Sequence, residues 1–263
     1  MPDSVPNGFL FKAKEPEVTH ILAIDTSTAW CSVALSLGDD LPLFRHERVS
    51  AGASQYLLPC VEELLAQASI SLQDLDAVAI GVGPGAFTGV RLGVATVQGL
   101  AITGRIPVIP VTSLDAVAMQ LLYTDSFKSA HASSIVVAVD ARMDEIYWAK
   151  YQVLDGLPLR IGEIELSKPE SLELHNIHFV AGSALKEYGD RLFSKNGLVF
   201  LESQLDPEIG VSALGILECA KVQLAKGLQI DVHELEPVYI RNKVALTTLE
   251  RLRNIESRSS NHD

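Results

Sequence analysis

The chain contains 263 residues, of which 48% are hydrophobic and 21% are charged, so it can bury a substantial core in one large domain or two lobes. Its formal net charge of −12 argues against a broad nucleic-acid surface, because phosphate contacts require clustered lysine and arginine. If the protein takes part in RNA chemistry, we therefore expect another subunit to hold the RNA.

Neither a membrane role nor a disulfide framework is expected. No uninterrupted apolar run reaches the roughly 18 residues that a membrane helix needs. The three cysteines lie in apolar segments and fit a reducing cytoplasm; they are Cys31, Cys60 and Cys219. Residues 1–18 carry prolines, mixed charges and an apolar run no longer than Phe9 to Phe11, so we expect a flexible extension rather than a signal peptide.

The first half of the chain predicts strands and helices in a mixed order. The predicted strands are residues 20–25, 31–37, 76–82 and 108–111, and the predicted helices are residues 54–68 and 88–103. A Gly-Pro-Gly turn joins the third strand to the second helix. This order is typical of a sheet that is covered by helices.

The second half repeats the pattern of the first. A strand over residues 135–140 ends in Asp140, as the first strand ends in Asp25, and residues 145–151 supply the return strand of its hairpin. Residues 179–184 repeat the passage from strand through glycine to helix. Two related lobes indicate the duplicated α/β fold shared by actin, sugar kinases and heat-shock chaperones.

The repeat sets the predicted domain boundaries. The N-terminal lobe is expected over residues 19–113 and the C-terminal lobe over residues 114–245, followed by a polar tail over residues 246–263. A last helix is expected over residues 212–227, with Ser212 as its cap and Gly227 as its stop. This helix can pack back on the first lobe.

Polar groups at two strand ends suggest a vestigial phosphate-type site. Asp25 and Thr26 follow the first strand, while Gly83 and Gly85 form the turn before the glycine-rich helix. An aspartate there can hold a metal-bound water beside a nucleotide phosphate, and amides at a helix N-terminus can bind an anion. The plainer alternative is that Asp25 only caps its own turn.

The turn does not match the common nucleotide motifs. Neither Gly-Lys-Ser nor Gly-Lys-Thr occurs in it, which excludes a Walker loop. Gly81, Gly83 and Ala86 have the spacing of a dinucleotide fingerprint, but Pro84 interrupts it. No acidic residue follows at the distance of about 20 residues where a ribose hydroxyl would be bound.

No catalytic or metal-binding set is expected either. His46 begins a zincin-like pattern, but Ser50 stands where the second ligand is required. The sequence contains no Gly-x-Ser-x-Gly nucleophile elbow. Cys60 on an apolar helix favours core packing over nucleophilic attack.

The helix over residues 88–103 is apolar around most of its circumference, with small residues about one turn apart. A helix of this kind is expected to be buried on all sides. One face must meet the sheet of its own lobe. The other face is expected to meet a second helix, either within this chain or on a partner.

Four segments together resemble the bacterial TsaB (YeaZ) family; they are residues 22–27, 83–93, 138–148 and 236–242. The resemblance covers about residues 19–245 and implies an accessory subunit without catalytic residues or a cofactor. Such a subunit pairs with TsaD, the transferase that forms N6-threonylcarbamoyladenosine at adenosine 37 of tRNAs reading codons that begin with A. A small ATPase, TsaE, docks on the pair, and tRNA is reached only through the complex.

The resemblance also implies which surface pairs. TsaD binds a metal through a histidine pair on its first-lobe helix, whereas the matching residues 52–58 contain no histidine, so no metal is expected. The family's dimerisation surface lies on the first two helices, which implies pairing with TsaD or, in its absence, a homodimer. The expected interface residues are Tyr56, Cys60, Glu63, Arg91, Val94, Ala95 and Gln98.

Two other functions stay open on the sequence. An ATP-hydrolysing or phosphotransfer enzyme of the actin-like fold would use Asp25, Thr26 and the turn at Gly83 and Gly85. A metallopeptidase is less favoured, because the sequence offers it neither ligands nor a nucleophile.

Overall fold

In the part of the chain that the structure describes, the framework is a pair of five-stranded mixed sheets. The computed structural model describes residues 19–49, 52–194, 197 and 199–241, so the predicted extension at residues 1–18 and the polar tail at residues 246–263 lie outside the described residues. The first sheet contains β1 (His20–Asp25), β2 (Trp30–Leu37), β3 (Leu43–Arg48), β4 (Ala77–Gly81) and β5 (Val108–Val111). The second contains β6 (Ser134–Asp140), β7 (Ile146–Leu154), β8 (Leu157–Ser167), β9 (Phe179–Ala181) and β10 (Leu205–Asp206).

The two sheets have the same strand order. The first runs β3-β2-β1-β4-β5, with β1 antiparallel to β2 and parallel to β4. The second, counted from its β8 edge, runs β8-β7-β6-β9-β10, with β6 antiparallel to β7 and parallel to β9. This repeat confirms the predicted two-lobed α/β fold of the actin, sugar-kinase and chaperone type.

Helices lie on both sides of each sheet or at its edges. They are α1 (Leu57–Ala68), α2 (Phe87–Gly104), α3 (Ser113–Leu121), α4 (Asp125–Ala130), α5 (Ala184–Tyr188) and α6 (Ala213–Ala225). A short 3-10 turn, Ala53–Gln55, precedes α1 and contacts α2. Within the described part of the chain, no helix is long and apolar enough to span a membrane.

Two of the helices cross between the lobes. α3 follows the first sheet but packs against β6, β7 and β8, whereas α6 follows the second sheet but packs against β1, β2, β4 and β5. The two helices meet closely, since a Cβ at Gly215 would lie 2.4 Å from the carbonyl oxygen of Ala116. The helix predicted over residues 212–227 therefore lies against the sheet of the first lobe.

The start of α6 is capped across the lobes rather than locally. Ser212 precedes the helix as predicted, but its hydroxyl donates to Gln120 Oε1 at 2.5 Å and makes no capping bond. The first amide of the helix, Ala213 N, instead donates to Ser32 Oγ in β2 at 2.8 Å. The free donors at a helix N-terminus are thus partly satisfied by the other lobe.

The central strands of the first sheet are buried over nearly all of their length. In β1 only His20 is partly exposed, and every residue of β4 is buried. Strands covered on both faces read as continuous apolar runs. Their carboxyl ends, Asp25 and Gly81, therefore lie inside the protein, and this is where the candidate site is built.

Candidate functional site

The turn after β1 is fixed by its own side chains. Asp25 Oδ1 accepts hydrogen bonds from both the backbone amide and the hydroxyl of Ser27, each at 3.1 Å. Ser27 Oγ also lies 3.4 Å from Ser113 Oγ at the start of α3. Asp25, Thr26 and Ser27 are all buried. This is the local capping arrangement that the plainer reading of the sequence predicts.

The glycine-rich turn and helix α2 lie directly on this turn. A Cβ at Gly85 would lie 2.6 Å from the carbonyl oxygen of Ser27, and one at Gly89 would lie 1.9 Å from that of Thr26. Only glycine allows backbones to approach so closely. The Thr26 hydroxyl donates to Gly89 O at 2.7 Å, and Ala86 N donates to Ser27 O at 2.7 Å. The amide of Ala86 is thus bound to the protein's own carbonyl.

The carboxyl group of Asp25 is enclosed by the neighbouring strand. A Cβ at Gly81 in β4 would lie 2.1 Å from Asp25 Oδ2, which is buried and has no hydrogen-bond partner among the described residues. Burial raises the pKa of Asp25 from its ordinary value of 3.8 to about 6, and the hydrogen bonds from Ser27 oppose that rise. The group therefore carries a desolvation cost when it is ionised.

The corresponding strand end of the second lobe is arranged differently. Asp140 Oδ1 accepts hydrogen bonds from Arg142 N at 2.9 Å and from the hydroxyl of Tyr188 at 2.8 Å. Arg142 also pairs with Asp140 at 3.2 Å. In the described ranges, no group of three histidine, cysteine or acidic side chains could hold a metal ion.

Helix α2 buries one face and exposes the other. Val90, Gly93 and Val97 face the core, whereas Ala95, Gly99 and Ile102 are exposed. The expectation that this helix is buried on all sides is therefore wrong for the single chain. Its apolar composition leaves an exposed face of small and apolar residues, which a partner helix could cover.

Two of the predicted interface residues do not lie at the surface. Cys60 was expected in the interface, but it is buried together with Leu57 and Leu64, three and four residues away on one helical face. Val94 is also buried in the core of the first lobe. Both side chains pack beneath their helices, so their expected place at the surface is corrected, while the interface itself stays a prediction.

The other predicted interface residues lie at or near the surface, and three of them have partners within the chain. Tyr56 and Ala95 are exposed. Glu63 pairs with Arg45 of β3 at 2.5 Å. Gln98 Nε2 donates to Leu235 O at 3.0 Å. The remaining residue, Arg91, bonds to Tyr239, so the C-terminal segment borders this surface.

That segment, residues 230–241, forms a C-terminal strap across the protein. Ile230 forms a two-bond bridge with Val108 in β5, and Val238 N donates to Val82 O at 2.9 Å. At Arg241, the last described residue, Nη2 donates to Glu145 Oε2 in the second lobe at 2.5 Å. The strap therefore connects β5, α2 and the second lobe.

The fold and this site define a two-lobed, actin-like α/β protein in which the first-lobe strand end is filled by the protein's own backbone. A family model described as TsaD, tRNA N6-adenosine threonylcarbamoyltransferase, matches residues 47–245. The Escherichia coli tRNA threonylcarbamoyladenosine biosynthesis protein TsaB is 35% identical over 232 residues, which cover 86% of this chain and 96% of that protein. The Haemophilus influenzae protein of the same name is 34% identical over 242 residues, covering 85% and 94%.

A solved structure gives the same result. YeaZ from Pseudomonas aeruginosa superposes with a TM-score of 0.72 at 32% sequence identity, covering 84% of this chain and 99% of that one. The chain belongs to the TsaB (YeaZ) family, which confirms the resemblance carried by the four sequence segments.

Proposed function

We propose that this protein is the non-catalytic partner of a TsaD-type transferase in the formation of N6-threonylcarbamoyladenosine in tRNA. The observation that carries the proposal is the match to TsaB proteins over 94% to 96% of their length, whose printed name assigns them to this biosynthesis. The match of residues 47–245 to the TsaD family model supports a common fold for the two partners. We assign the protein to the cytoplasm on the family name alone.

The absence of catalysis is part of the proposal, and the buried strand end supports it. Asp25 is fully enclosed, and the carbonyl of Ser27 occupies the amide of Ala86 at the N-terminus of α2. An ATP-hydrolysing or phosphotransfer enzyme needs such groups free to meet a phosphate. In this protein the amide of Ala86 and the hydroxyl of Thr26 instead join α2 to the turn after β1.

The partner surface is the exposed face of α1 and α2, which we define as the α1/α2 face. It includes Tyr56, Glu63, Arg91, Ala95 and Gln98, and omits the buried Cys60 and Val94. Tyrosine and arginine are enriched in the residues that dominate interface energies. The same face would pair two copies of this chain when TsaD is absent, so homodimer and heterodimer would compete.

The mechanism is a shift of population. A partner that binds only the active conformation of TsaD raises the fraction of TsaD in that conformation. TsaE would dock on the assembled pair, and tRNA would be bound through the complex, which fits the net charge of −12 on this chain.

An omission assay tests the proposal. TsaD, TsaE, tRNA, ATP, threonine, bicarbonate and the enzyme that makes threonylcarbamoyl-adenylate are combined with and without this chain. We expect modification to require the chain and to survive the Asp25→Asn substitution. Modification that is unchanged when the chain is omitted would overturn the proposed role, and ATP binding lost on Asp25→Asn would favour the enzyme alternative.

A matched pair of substitutions tests the surface. Ala95→Glu places a charge on the exposed face of α2, while Ser129→Glu places the same charge on exposed α4 in the second lobe. We expect Ala95→Glu alone to weaken binding to TsaD, measured by calorimetry. Equal affinity of the two variants for TsaD would show that the exposed face of α2 is not part of the interface.

A further inference from the structure

Two of the three buried cysteines contact each other beneath helix α1. Cys31 belongs to β2 and Cys60 to α1, and both lie in the core cluster that the first sheet forms with α1 and α2. A hydrogen bond joins their thiols. Cys219 lies in a different core cluster, on α6, where its thiol donates to the carbonyl of Asp115 at 3.5 Å. The chain therefore holds one pair of thiols and one thiol outside the pair.

Cys31 is the less reactive thiol of the pair, because its side chain is fully buried. Burial raises the pKa of Cys31 to about 12, and Cys60, Asp25 and Glu47 act in the same direction. The thiolate, rather than the thiol, is the form that attacks an oxidant. Cys31 is therefore not the residue that meets an oxidant first.

Cys60 is the more accessible thiol of the pair. Its side chain is 7% exposed, and it lies on the helix that contributes to the α1/α2 face. Burial and the carboxylates of Glu47 and Glu63 raise the pKa of Cys60, whereas Arg45 and the hydrogen bond with Cys31 lower it. Reaction at Cys60 is therefore slow at neutral pH but precedes reaction at Cys31, and the second thiol already lies next to the first.

We propose that Cys31 and Cys60 form an oxidation site, at which hydrogen peroxide converts the two thiols to a disulfide. Peroxide is close to water in size, so it can reach a thiol that a larger oxidant cannot. The Cys60 sulfur attacks one peroxide oxygen, the O–O bond breaks, and a sulfenic acid forms as one water leaves. The Cys31 sulfur then attacks the Cys60 sulfur, the S–O bond breaks, and the thiol proton leaves with the hydroxide as a second water.

The disulfide would join helix α1 of the α1/α2 face to strand β2 beneath it. A cross-link between residues 31 and 60 restricts the unfolded chain, so we expect the melting temperature of the oxidised chain to rise by about 5 °C or more. The contact between the two thiols carries this inference, which does not depend on the proposed function.

Thiol counting on the full chain tests the inference. Peroxide is added until the exposed Met143 has become its sulfoxide, which shows that the oxidant has acted. The free thiols are then titrated in denaturant with Ellman's reagent. We expect the count to fall from three to one, with Cys219 as the remaining thiol. Mass spectrometry of the unreduced peptides should find Cys31 joined to Cys60, and dithiothreitol should restore all three thiols.

Single substitutions separate the pair from the third thiol. Cys219→Ala is the matched control, because it keeps the pair and should still lose both of its thiols. Cys31→Ala should stop at a sulfenic acid on Cys60 that dimedone traps, and Cys60→Ala should leave Cys31 as a thiol. A count that stays at three in the parent chain would overturn the inference, as would a disulfide to Cys219 or between two molecules. The count in the parent chain decides the question even if a variant does not fold.

Discussion

Arg91 Nε donates a hydrogen bond to the hydroxyl of Tyr239 at 2.9 Å, which joins helix α2 to the C-terminal strap across 148 positions of sequence. The Arg91 guanidinium also lies 3.7 Å from the centroid of the Phe87 ring, and the two aromatic rings are 5.9 Å apart. Phe87, Arg91 and Tyr239 are all exposed. The strap therefore extends the α1/α2 face with an aromatic and arginine cluster of the composition found at binding hot spots.

Substitution of Tyr239 tests whether this cluster contributes to binding. Tyr239→Ala removes the ring beside Phe87 and the acceptor of Arg91, so we expect TsaD affinity to fall about tenfold, or by roughly 1.4 kcal/mol. Tyr239→Phe keeps the ring and should lose less. The dissociation constants are measured by calorimetry and the melting temperatures by circular dichroism.

Tyr123→Ala is the matched control for this experiment. Tyr123 is 58% exposed and Tyr239 51% exposed, and each hydroxyl forms a hydrogen bond with a described side chain, Glu218 for Tyr123 and Arg91 for Tyr239. Tyr123 follows α3 and lies outside the α1/α2 face. If both variants bind TsaD as the parent chain does, the strap is structural and the cluster is not part of the interface.

Substitution by alanine should change the free energy of unfolding in opposite directions at Gly89 and Gly99 of α2. A Cβ at Gly89 would lie 1.9 Å from Thr26 O, whereas a Cβ at Gly99 would meet no described residue within 4 Å. We expect Gly89→Ala to cost about 2 kcal/mol or more, because α2 must move away from β1. Gly99→Ala should stabilise the isolated chain by up to about 1 kcal/mol through helix propensity. Urea unfolding of both variants measures the difference, and similar values for the two would contradict the close packing of α2.

Local sequence patterns predicted much of this arrangement. The strand ending at Asp25 and the glycine-rich start of α2 both appear as short contiguous motifs, so they could be placed on one sheet edge. The strands β3 and β8 were not predicted, since charges and a glycine interrupt their apolar patterns. The bond between Arg91 and Tyr239 depends on the folded chain and has no local signal. Helical spacing alone does not predict that Cys60 is buried, because this residue lies at the margin of the core stripe of α1.

The strap should also stabilise the arrangement of the lobes. The side chain of Arg241 is mostly buried and donates to Glu145 at 2.5 Å and to the carbonyls of Ala141 and Arg142 at 3.2 and 3.3 Å. We expect Arg241→Ala to lower the free energy of unfolding by about 2 kcal/mol, because several acceptors lose their donor at once. Arg241→Lys should restore only part of this free energy, since an ammonium group lacks the planar set of donors of a guanidinium group.

An exposed ion pair provides the comparison for Arg241. Arg45 and Glu63 are also 2.5 Å apart, but their side chains are 33% and 54% exposed. Exposed pairs of this kind contribute at most about 1 kcal/mol, so Arg45→Ala should cost less than Arg241→Ala. Urea unfolding at neutral pH measures both. Equal losses of unfolding free energy in the two variants would mean that the burial of Arg241 contributes nothing to stability.

The buried carboxyl group of Asp25 makes stability depend on pH in an unusual direction. Burial raises its pKa in the folded state to about 6, above the ordinary value of 3.8 that the unfolded chain keeps. Between these two values the folded state binds more protons than the unfolded state, so stability falls as pH rises through this window. The usual carboxylate, with a lowered pKa, has the opposite effect.

Asp25→Asn removes this titration while keeping the shape of the side chain. We expect the stability of the variant relative to the parent chain to increase by about 2 kcal/mol between pH 4.5 and pH 7.5, because only the parent loses stability by ionising a buried group. The free energies of unfolding in urea at the two pH values measure this change. Asp231→Asn is the control, because the Asp231 carboxylate is exposed and bonded to His233, which lowers its pKa. A difference between the Asp25→Asn variant and the parent that stays constant with pH would mean that Asp25 titrates alike in both states, so that burial imposes no cost on its charge.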